Sequence, residues 1–452
     1  MRARFAGGVH PDPRKGATER LPIVELPPPA VAIVPLQQHL GPKSRPLVKA
    51  GDTVLLGEMI GAAEGFVAAN IHAPVAGKVR EVAPHPHASG TAVEAVVIEN
   101  DGTDARFSCV AHDWETGSPE ALRDLVRDAG IVGLGGATFP THVKLSPPKA
   151  KPIDTLVVNG AECEPYLTAD HRLMIERADA IVAGARILAR ILGVDRIVVG
   201  VEANKPDAVA ALRLAGGVGI AVESLPVMYP QGAEKQLIKA LLGRAVPPPP
   251  GLPLDVGVVV QNVATCAAVH DAICLGRPLV DRVVTVAGGG VARPGNVRVR
   301  IGTPLRQLVE ACGGLSPATV RLVMGGPMMG LPLSSLDVPV IKGTSGLLAL
   351  TRDEVPARRA GNCIRCGRCV RACPMGLLPA TLALYAQHRL YDRAEDIDAM
   401  ACVECGSCAY LCPAAIPLVQ HIRLAKSRIA AARRHRDEKE KEKAAAKAAA
   451  GA

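Results

Sequence analysis

The stretch Cys363-Ile-Arg-Cys366-Gly-Arg-Cys369-Val-Arg-Ala-Cys373-Pro374 returns, with other residues between its cysteines, as Cys402-Val-Glu-Cys405-Gly-Ser-Cys408-Ala-Tyr-Leu-Cys412-Pro413. Both read C-x2-C-x2-C-x3-C-P. Three thiolates on one tight loop can clamp three irons of a cubane, and the fourth iron takes its thiolate from elsewhere. In two-cluster domains with this spacing, the fourth Cys of each run serves the other cluster. The expected ligand sets are Cys363, Cys366, Cys369 and Cys412 for one 4Fe–4S cluster, and Cys402, Cys405, Cys408 and Cys373 for the other. C-x2-C pairs also suit zinc, but the duplicated three-residue step and the two prolines favour iron–sulfur. Between the runs, residues 382–393 read as helical, which makes this a helical two-cluster domain over residues 356–420.

Around the first run lie Arg358, Arg359, Arg365, Arg368 and Arg371 with no acid between them. An all-thiolate cubane is net anionic, so this belt would raise its potential; a solvated basic face is the plainer alternative. The other five cysteines, Cys109, Cys163, Cys266, Cys274 and Cys312, are scattered and read mainly as packed residues. Thirteen cysteines in a chain without a signal-peptide core point to metal and not to disulfides.

Length, charge and hydropathy narrow the class further. A chain of 452 residues suggests two to four domains. Much of the +9 net charge sits in residues 421–452, so the body is near neutral and gives no sign of a nucleic-acid partner. Ten aromatic residues are too few for a stacking platform on single strands. Mean hydropathy is +0.21, yet the apolar stretch 181–200 is broken by Arg186, Arg190, Asp195 and Arg196. No uninterrupted run approaches the roughly 20 residues of a spanning helix. The reading is a soluble or peripheral cytoplasmic protein. Its charged tail is either a solvated helix or a dock for anionic lipid or a partner.

Along the chain, the pattern predicts a multidomain α/β protein. Residues 1–30 form a Pro-rich leader. Residues 31–112 alternate short β-branched runs with turns, a small all-β barrel-sandwich module. Val48-Lys-Ala-Gly-Asp-Thr-Val and His72-Ala-Pro-Val-Ala-Gly-Lys-Val resemble the hammerhead of biotinyl and lipoyl carriers. No lysine lies between Lys49 and Lys78, so the carrier chemistry is absent and the module is structural. Residues 113–277 alternate helices (120–129, 173–192) with buried strands (155–158, 196–201, 256–260), an α/β domain with a largely parallel sheet. Residues 278–350 return to strands and Gly turns, and 421–452 form a charged helical tail.

The chemistry outside the cysteines centres on Gly130-Ile-Val-Gly133-Leu-Gly135-Gly136-Ala-Thr-Phe139-Pro140-Thr-His-Val-Lys144. Such a loop can turn backbone N–H groups toward a phosphate, with Lys144 as counter-charge. A tight turn before a helix would look the same. Val158-Asn159-Gly160-Ala161-Glu162-Cys163-Glu164-Pro165 follows at a strand end, where ligands of α/β sheets bind. Together with Gln261-Asn262-Val263, these segments resemble the flavin- and NADH-binding subunit of respiratory complex I. Adding the cysteine runs and the leader Phe5-Ala-Gly-Gly-Val-His-Pro11, residues 1–425 resemble the C subunits of Rnf (Rsx) ion-translocating electron transport complexes. That resemblance implies FMN held by Gly133, Gly135, Gly136, Lys144, Asn159 and Asn262. It implies a nicotinamide nucleotide site lined by Phe139, Glu164 and Glu234, the last in Tyr229-Pro-Gln-Gly-Ala-Glu-Lys. It also implies a β-grasp domain over 278–350 and a ferredoxin-like fold for 356–420. Three departures stand out: Leu134 replaces the Arg of the complex I loop, Ala161 stands at an acidic position after the strand, and the Lys and Phe of the K-P-P-F-P segment give way to Val246-Pro-Pro-Pro-Pro250.

The function expected from the resemblance is a peripheral electron-entry subunit at the cytoplasmic face of the bacterial inner membrane. NADH would be its substrate, and FMN and two 4Fe–4S clusters its cofactors. Its partners would be the membrane and Fe–S subunits of the same complex and, further off, ferredoxin. The alternatives are a soluble flavin/Fe–S reductase of the cobalamin-reductase kind, or a non-catalytic Fe–S relay and docking subunit. His142 and His171, near the proposed site, read as supporting residues and not as ligands.

Overall fold

The computed structural model describes residues 5–108, 110–355 and 358–450. Cys109, expected in the core, lies outside the described residues. The α/β domain carries a four-stranded sheet in the order Ile220–Leu225, Arg196–Glu202, Thr155–Gly160, Val258–Asn262. Every neighbouring pair is parallel. Three strands, the two inner ones and the edge Val258–Asn262, are runs rich in Val, Ile and Leu and almost wholly buried, as a covered parallel sheet demands. Ile220–Leu225 was not expected as a strand: it is a half-exposed edge whose Glu223 and Ser224 interrupt the apolar pattern.

Helices cover both faces of this sheet. Ala178–Leu192 and Val263–Cys274 pack on one side within the main core, and Glu234–Leu242 on the other. The first two touch backbone to backbone. A Cβ on Gly184 would overlap the Cys266 carbonyl, so only glycine allows that approach. The single helix expected over 173–192 is two helices, Ala169–Glu176 and Ala178–Leu192, broken at Arg177. Arg177 leaves helical geometry and forks onto Asp271 with two hydrogen bonds of 2.7 and 2.8 Å. That tertiary pair ties the break to the helix Val263–Cys274, a constraint no local pattern reveals.

The N-terminal module is the expected β structure. It has a four-stranded antiparallel sheet (Val31–Pro35, Ala92–Asn100, Gly77–Pro86, Thr53–Val54) and a three-stranded one (Arg45–Pro46, Met59–Ala62, Ile71–His72), sharing a core of Val, Ile and Leu. The unit after the α/β domain has a six-stranded sheet, and its first strand, Ile23–Glu25, comes from the leader. It pairs parallel to Gly295–Arg300. The leader is therefore woven into the body and does not stand apart from it.

The two-cluster region is built of short helices, Arg368–Ala372, Pro379–Gln387, Tyr391–Asp396 and Ser407–Tyr410, closed by the long helix Leu418–Ala450. Among its described side chains the buried ones lie in the first turns, at Leu418, Val419, Ile422, Ala425 and Ile429. Arg433 and Arg436 then reach Glu395, and residues 437–441 are exposed. Among the described residues no helix is long and apolar enough to cross a membrane.

Candidate cofactor sites and the seam between them

At the carboxyl ends of the central strands, the expected flavin residues come together. The glycine loop is pinched at its base, where Gly133 N–H donates to Phe139 O (2.8 Å) and Thr138 N–H to Gly133 O (3.2 Å). Leu134 N–H donates to Thr265 Oγ1 (2.9 Å), which anchors one flank. A Cβ on Gly135 would sit 3.6 Å from Asn262, while one on Gly136, at φ +105°, would meet nothing within 4 Å. The loop tip thus presents bare backbone to open space. Lys144 Nζ pairs with Glu234 Oε1 at 2.6 Å and donates to Val260 O at 3.1 Å. Asn159 donates to Gly232 O (2.8 Å) and accepts from Ala161 N–H (3.2 Å). Lys144, Asn159, Asn262, Glu234 and the glycines therefore converge from four segments distant in sequence.

Asn262 is more committed than expected. Its Oδ1 caps the helix Val263–Cys274 by accepting from Ala264 N–H (2.8 Å), and its Nδ2 donates to Asp170 Oδ2 (2.7 Å). Burial, with the Glu162 carboxylate close by, pushes the Asp170 carboxyl up to about 7. Phe139 is half-buried at the loop base. Glu164 is held elsewhere: both oxygens accept from the 325–330 turn, at Met328 N–H (3.0 Å) and Met329 N–H (2.9 Å). No hydrogen bond or ion pair among the described residues joins it to Lys144, Asn159, Asn262 or Glu234. Burial raises its carboxyl to about 7, against the pull of those two N–H donors.

FMN fits this arrangement on its polar atoms. The side-chain Nε2 donors of Gln231 and Gln261 are buried without a partner, one in the 229–234 loop and one beside Asn262. Buried donors are rarely left unsatisfied unless something completes them. Gln231 was legible in the quoted 229–235 motif, although only Glu234 was singled out there.

Four of the cysteines gather at one place. Cys373, Cys402, Cys405 and Cys408 line a single small pocket whose walls include Met375, Leu377, Val403, Val419 and Ile422. Leu377 N–H and Glu404 N–H donate to the sulfurs of Cys373 and Cys402, both at 3.4 Å. Burial pushes the Cys402 thiol up to about 11 and Cys408 to about 12, and neighbouring cysteines add to both. Ionising such thiols together requires a bound cation, which cluster iron supplies. Among the described residues no three His, Cys, Asp or Glu converge on one point as a single metal ion needs; a cubane holds its thiolates further apart. Of the other four, Cys369 and Cys412 share an apolar cluster with Ala383, Cys408, Leu418 and Val419, and Cys363 lies near Cys369. Cys363 and Cys366 are exposed, whereas Cys405 and Cys408 are buried.

A seam joins the buried set to the α/β domain. Tyr229, only 2% exposed, donates its hydroxyl to Cys405 O at 2.6 Å. Val9, Tyr229, Ala372 and Cys405 form one buried cluster, with Cys163 and Met328 against it. Gly232 N–H donates to Cys163 Sγ (3.2 Å), and Gly232 O takes the Asn159 amide. The leader is stitched into this seam. Val9 and Tyr229 exchange backbone hydrogen bonds (2.8 and 2.9 Å), and Gly8 N–H donates to Ala372 O (2.9 Å). Gly7, at φ +74°, leaves room that a Cβ would close, 2.7 Å from Cys373 O. Lys15, 5% exposed, donates to the carbonyls of Glu162, Glu164 and Leu167. Sequence reasoning gave these leader residues no role, because each acts only through partners more than a hundred residues away.

The remaining expectations separate cleanly. Cys266 and Cys312 are buried as expected, while Cys274 is half-buried. Cys163 is packed, with burial raising its thiol far above the usual range. His142 pairs with Phe66 O (3.0 Å) and His171 with Asp207 (2.8 Å), supporting contacts in both cases.

Comparison with known proteins follows the same divisions. The Nuo51 FMN-binding domain family matches residues 126–271, the RnfC barrel sandwich hybrid domain 3–103, the SLBB domain 283–332 and the 4Fe-4S dicluster domain 362–416. The C subunit of the proton-translocating ferredoxin:NAD(+) oxidoreductase complex of Clostridium ljungdahlii is 48% identical over 94% of each chain. The chain belongs to the family of Rnf C subunits. The C subunit of the Na(+)-translocating ferredoxin:NAD(+) oxidoreductase complex of Acetobacterium woodii is 47% identical over 95% of this chain and 98% of its own. The C subunit of the ion-translocating oxidoreductase complex of Rhodobacter capsulatus is 47% identical over 94% and 82%. Among solved structures, an NAD+-reducing NiFe-hydrogenase shares the fold, with a TM-score of 0.52 at 21% identity over 70% of this chain and 63% of that one.

Proposed function

We propose that the chain is the peripheral electron-entry subunit of a membrane-bound, ion-translocating complex that exchanges electrons between NADH and ferredoxin. FMN would be held at the strand ends of the α/β domain, and two 4Fe–4S clusters by the eight cysteines. The curated relatives from Clostridium ljungdahlii and Acetobacterium woodii carry that activity in their names. The observation that carries the reading here is the seam: contacts run from Asn159 through Gly232 and Cys163 to Tyr229 and Cys405.

When bound, FMN supplies two-electron acceptance with one-electron release, and the clusters supply one-electron carriage. The protein's part is placement. Gly135 and Gly136 offer bare backbone, Lys144 offers positive charge steadied by Glu234, and Asn159 fixes the neighbouring 229–234 loop. Asn262 is a positioning residue, locked by Asp170 and by its own capping bond against Gly135. Phe139 and Glu234 are the residues best placed for a nicotinamide nucleotide. Glu164, committed to the Met328–Met329 backbone, serves the wall between domains. Tyr229 and the leader hold the buried cysteine set against the flavin domain. The exposed set, Cys363 and Cys366, faces solvent within the five arginines, where a partner subunit or ferredoxin can approach.

The decisive experiment is anaerobic purification followed by flavin and iron analysis and an NADH titration. The proposal expects one FMN per chain, iron for two 4Fe–4S clusters, and bleaching of both chromophores by NADH. Protein that neither retains nor rebinds FMN would sink the electron-entry reading and leave an Fe–S relay.

A further inference from the structure

A cavity of about 580 Å³ opens where the N-terminal module, the α/β domain and the six-stranded sheet meet. None of Gly133, Gly135, Gly136, Lys144, Asn159 and Asn262 lines it. One wall is apolar, made by Phe107, Leu275 and the small face of Ala264, Ala267 and Ala268 on one helix. The rest of the lining is rich in arginine. Three of its guanidinium groups are matched: Arg177 by Asp271, Arg298 by Asp281 and Arg300 by Asp104. Three are not. Arg106 and Arg277 are exposed on the rim and make no ion pair among the described residues. Arg282 is only 4% exposed. Its Nη2 donates to Leu134 O (3.0 Å) and its Nε to Thr344 O (3.4 Å), while Nη1 has no partner.

A buried guanidinium donor left unpaired beside a roomy cavity implies an acceptor that enters from outside. The acceptor is expected to be anionic, since six arginines line the space against the three carboxylates of Glu25, Asp271 and Asp281, although Asp170 and Asp281 lie near Arg282. Planar guanidinium forks match phosphate oxygens, and a phosphate can serve several at once where a single carboxylate cannot. The volume lies within the usual range for small-molecule sites, and the alanine-lined wall with Phe107 suits a flat apolar group. We propose that this junction is a second ligand site, for a phosphate-bearing anion of nucleotide size, with Arg106, Arg277 and Arg282 as its phosphate receptors.

The test is calorimetric titration of the full, cofactor-loaded protein with ADP, on wild type and on the Arg106→Ala/Arg277→Ala variant. Both positions are exposed, and unchanged FMN content and circular dichroism would certify the fold. Arg277→Glu alone gives the same reading should the double variant fold poorly. The expected result is ADP binding that weakens at least tenfold in the variant and is displaced by inorganic phosphate. No binding to wild type overturns the proposal. So does equal affinity in the variant, which would put ADP in the nucleotide site of the flavin domain. Binding that inorganic phosphate does not displace overturns the assignment of the arginines.

Discussion

Tyr229→Phe removes one hydroxyl from the seam and nothing else. The phenol is 2% exposed and donates to Cys405 O at 2.6 Å, and burial keeps it protonated by raising its pKa well above the usual value. The ring of the variant still packs against Val9, Ala372 and Cys405. What changes is the Cys405 carbonyl, which loses its donor in a dry environment, and the Glu164 carboxylate, which loses the support of the same hydroxyl. An acceptor stranded in that way costs about 1–3 kcal/mol, or roughly 5- to 150-fold in an equilibrium. The bond crosses the boundary between domains, so the cost falls on seam closure and not on either core. When opening is fast, chemical access to a buried site follows the open population. Iron release from the buried cluster to a chelator should therefore accelerate at least fivefold, with release from the exposed cluster and FMN content unchanged. Equal release rates in variant and wild type would refute the argument that this bond closes the seam.

Other predictions follow from separate features. Gly184→Ala forces the two main helices of the α/β domain apart at the Cys266 carbonyl; overpacking of this kind costs about 3 kcal/mol or more, read as an earlier thermal transition of the flavin domain. Glu164 has a folded pKa of about 7 against an ordinary 4.5, so the native state binds the extra proton between those values. Its stabilising contribution is complete below pH 4.5 and lost as pH rises through 7, roughly 3 kcal/mol in all; Glu164→Gln should flatten that part of the stability–pH curve in denaturant titrations. Arg365→Gln/Arg368→Gln/Arg371→Gln should slow electron transfer to an acidic carrier protein roughly tenfold or more at low salt, and reduce its salt dependence. Equal rates in stopped-flow mixing would remove the docking role of the arginine belt.

The readable part of this protein was its local chemistry. The duplicated cysteine spacing pointed to two clusters with Cys373 crossing over, and Cys373 lines one pocket with Cys402, Cys405 and Cys408. Inner strands declared themselves as unbroken Val and Ile runs, and the glycine loop with Asn159 and Lys144 marked the sheet end where they now meet. What escaped was whatever depends on partners far along the chain. Arg177 breaks a helix while forking onto Asp271. Ile23–Glu25 becomes an edge strand against residues nearly three hundred positions later. Gly7, Gly8, Val9 and Lys15 clasp the seam, although their own segment has no periodicity to read. Glu164 stood in a suggestive motif, yet the Met328–Met329 turn claims both its oxygens.

The central claim is that the buried cysteine set adjoins the flavin domain while the exposed set faces outward. The Cys363→Ser/Cys366→Ser variant, purified anaerobically and titrated with NADH under electron paramagnetic resonance, tests it directly. The account predicts FMN retained, iron for one cluster, and that cluster still reduced by NADH. A surviving cluster that NADH leaves oxidised, while dithionite reduces it, would contradict the account.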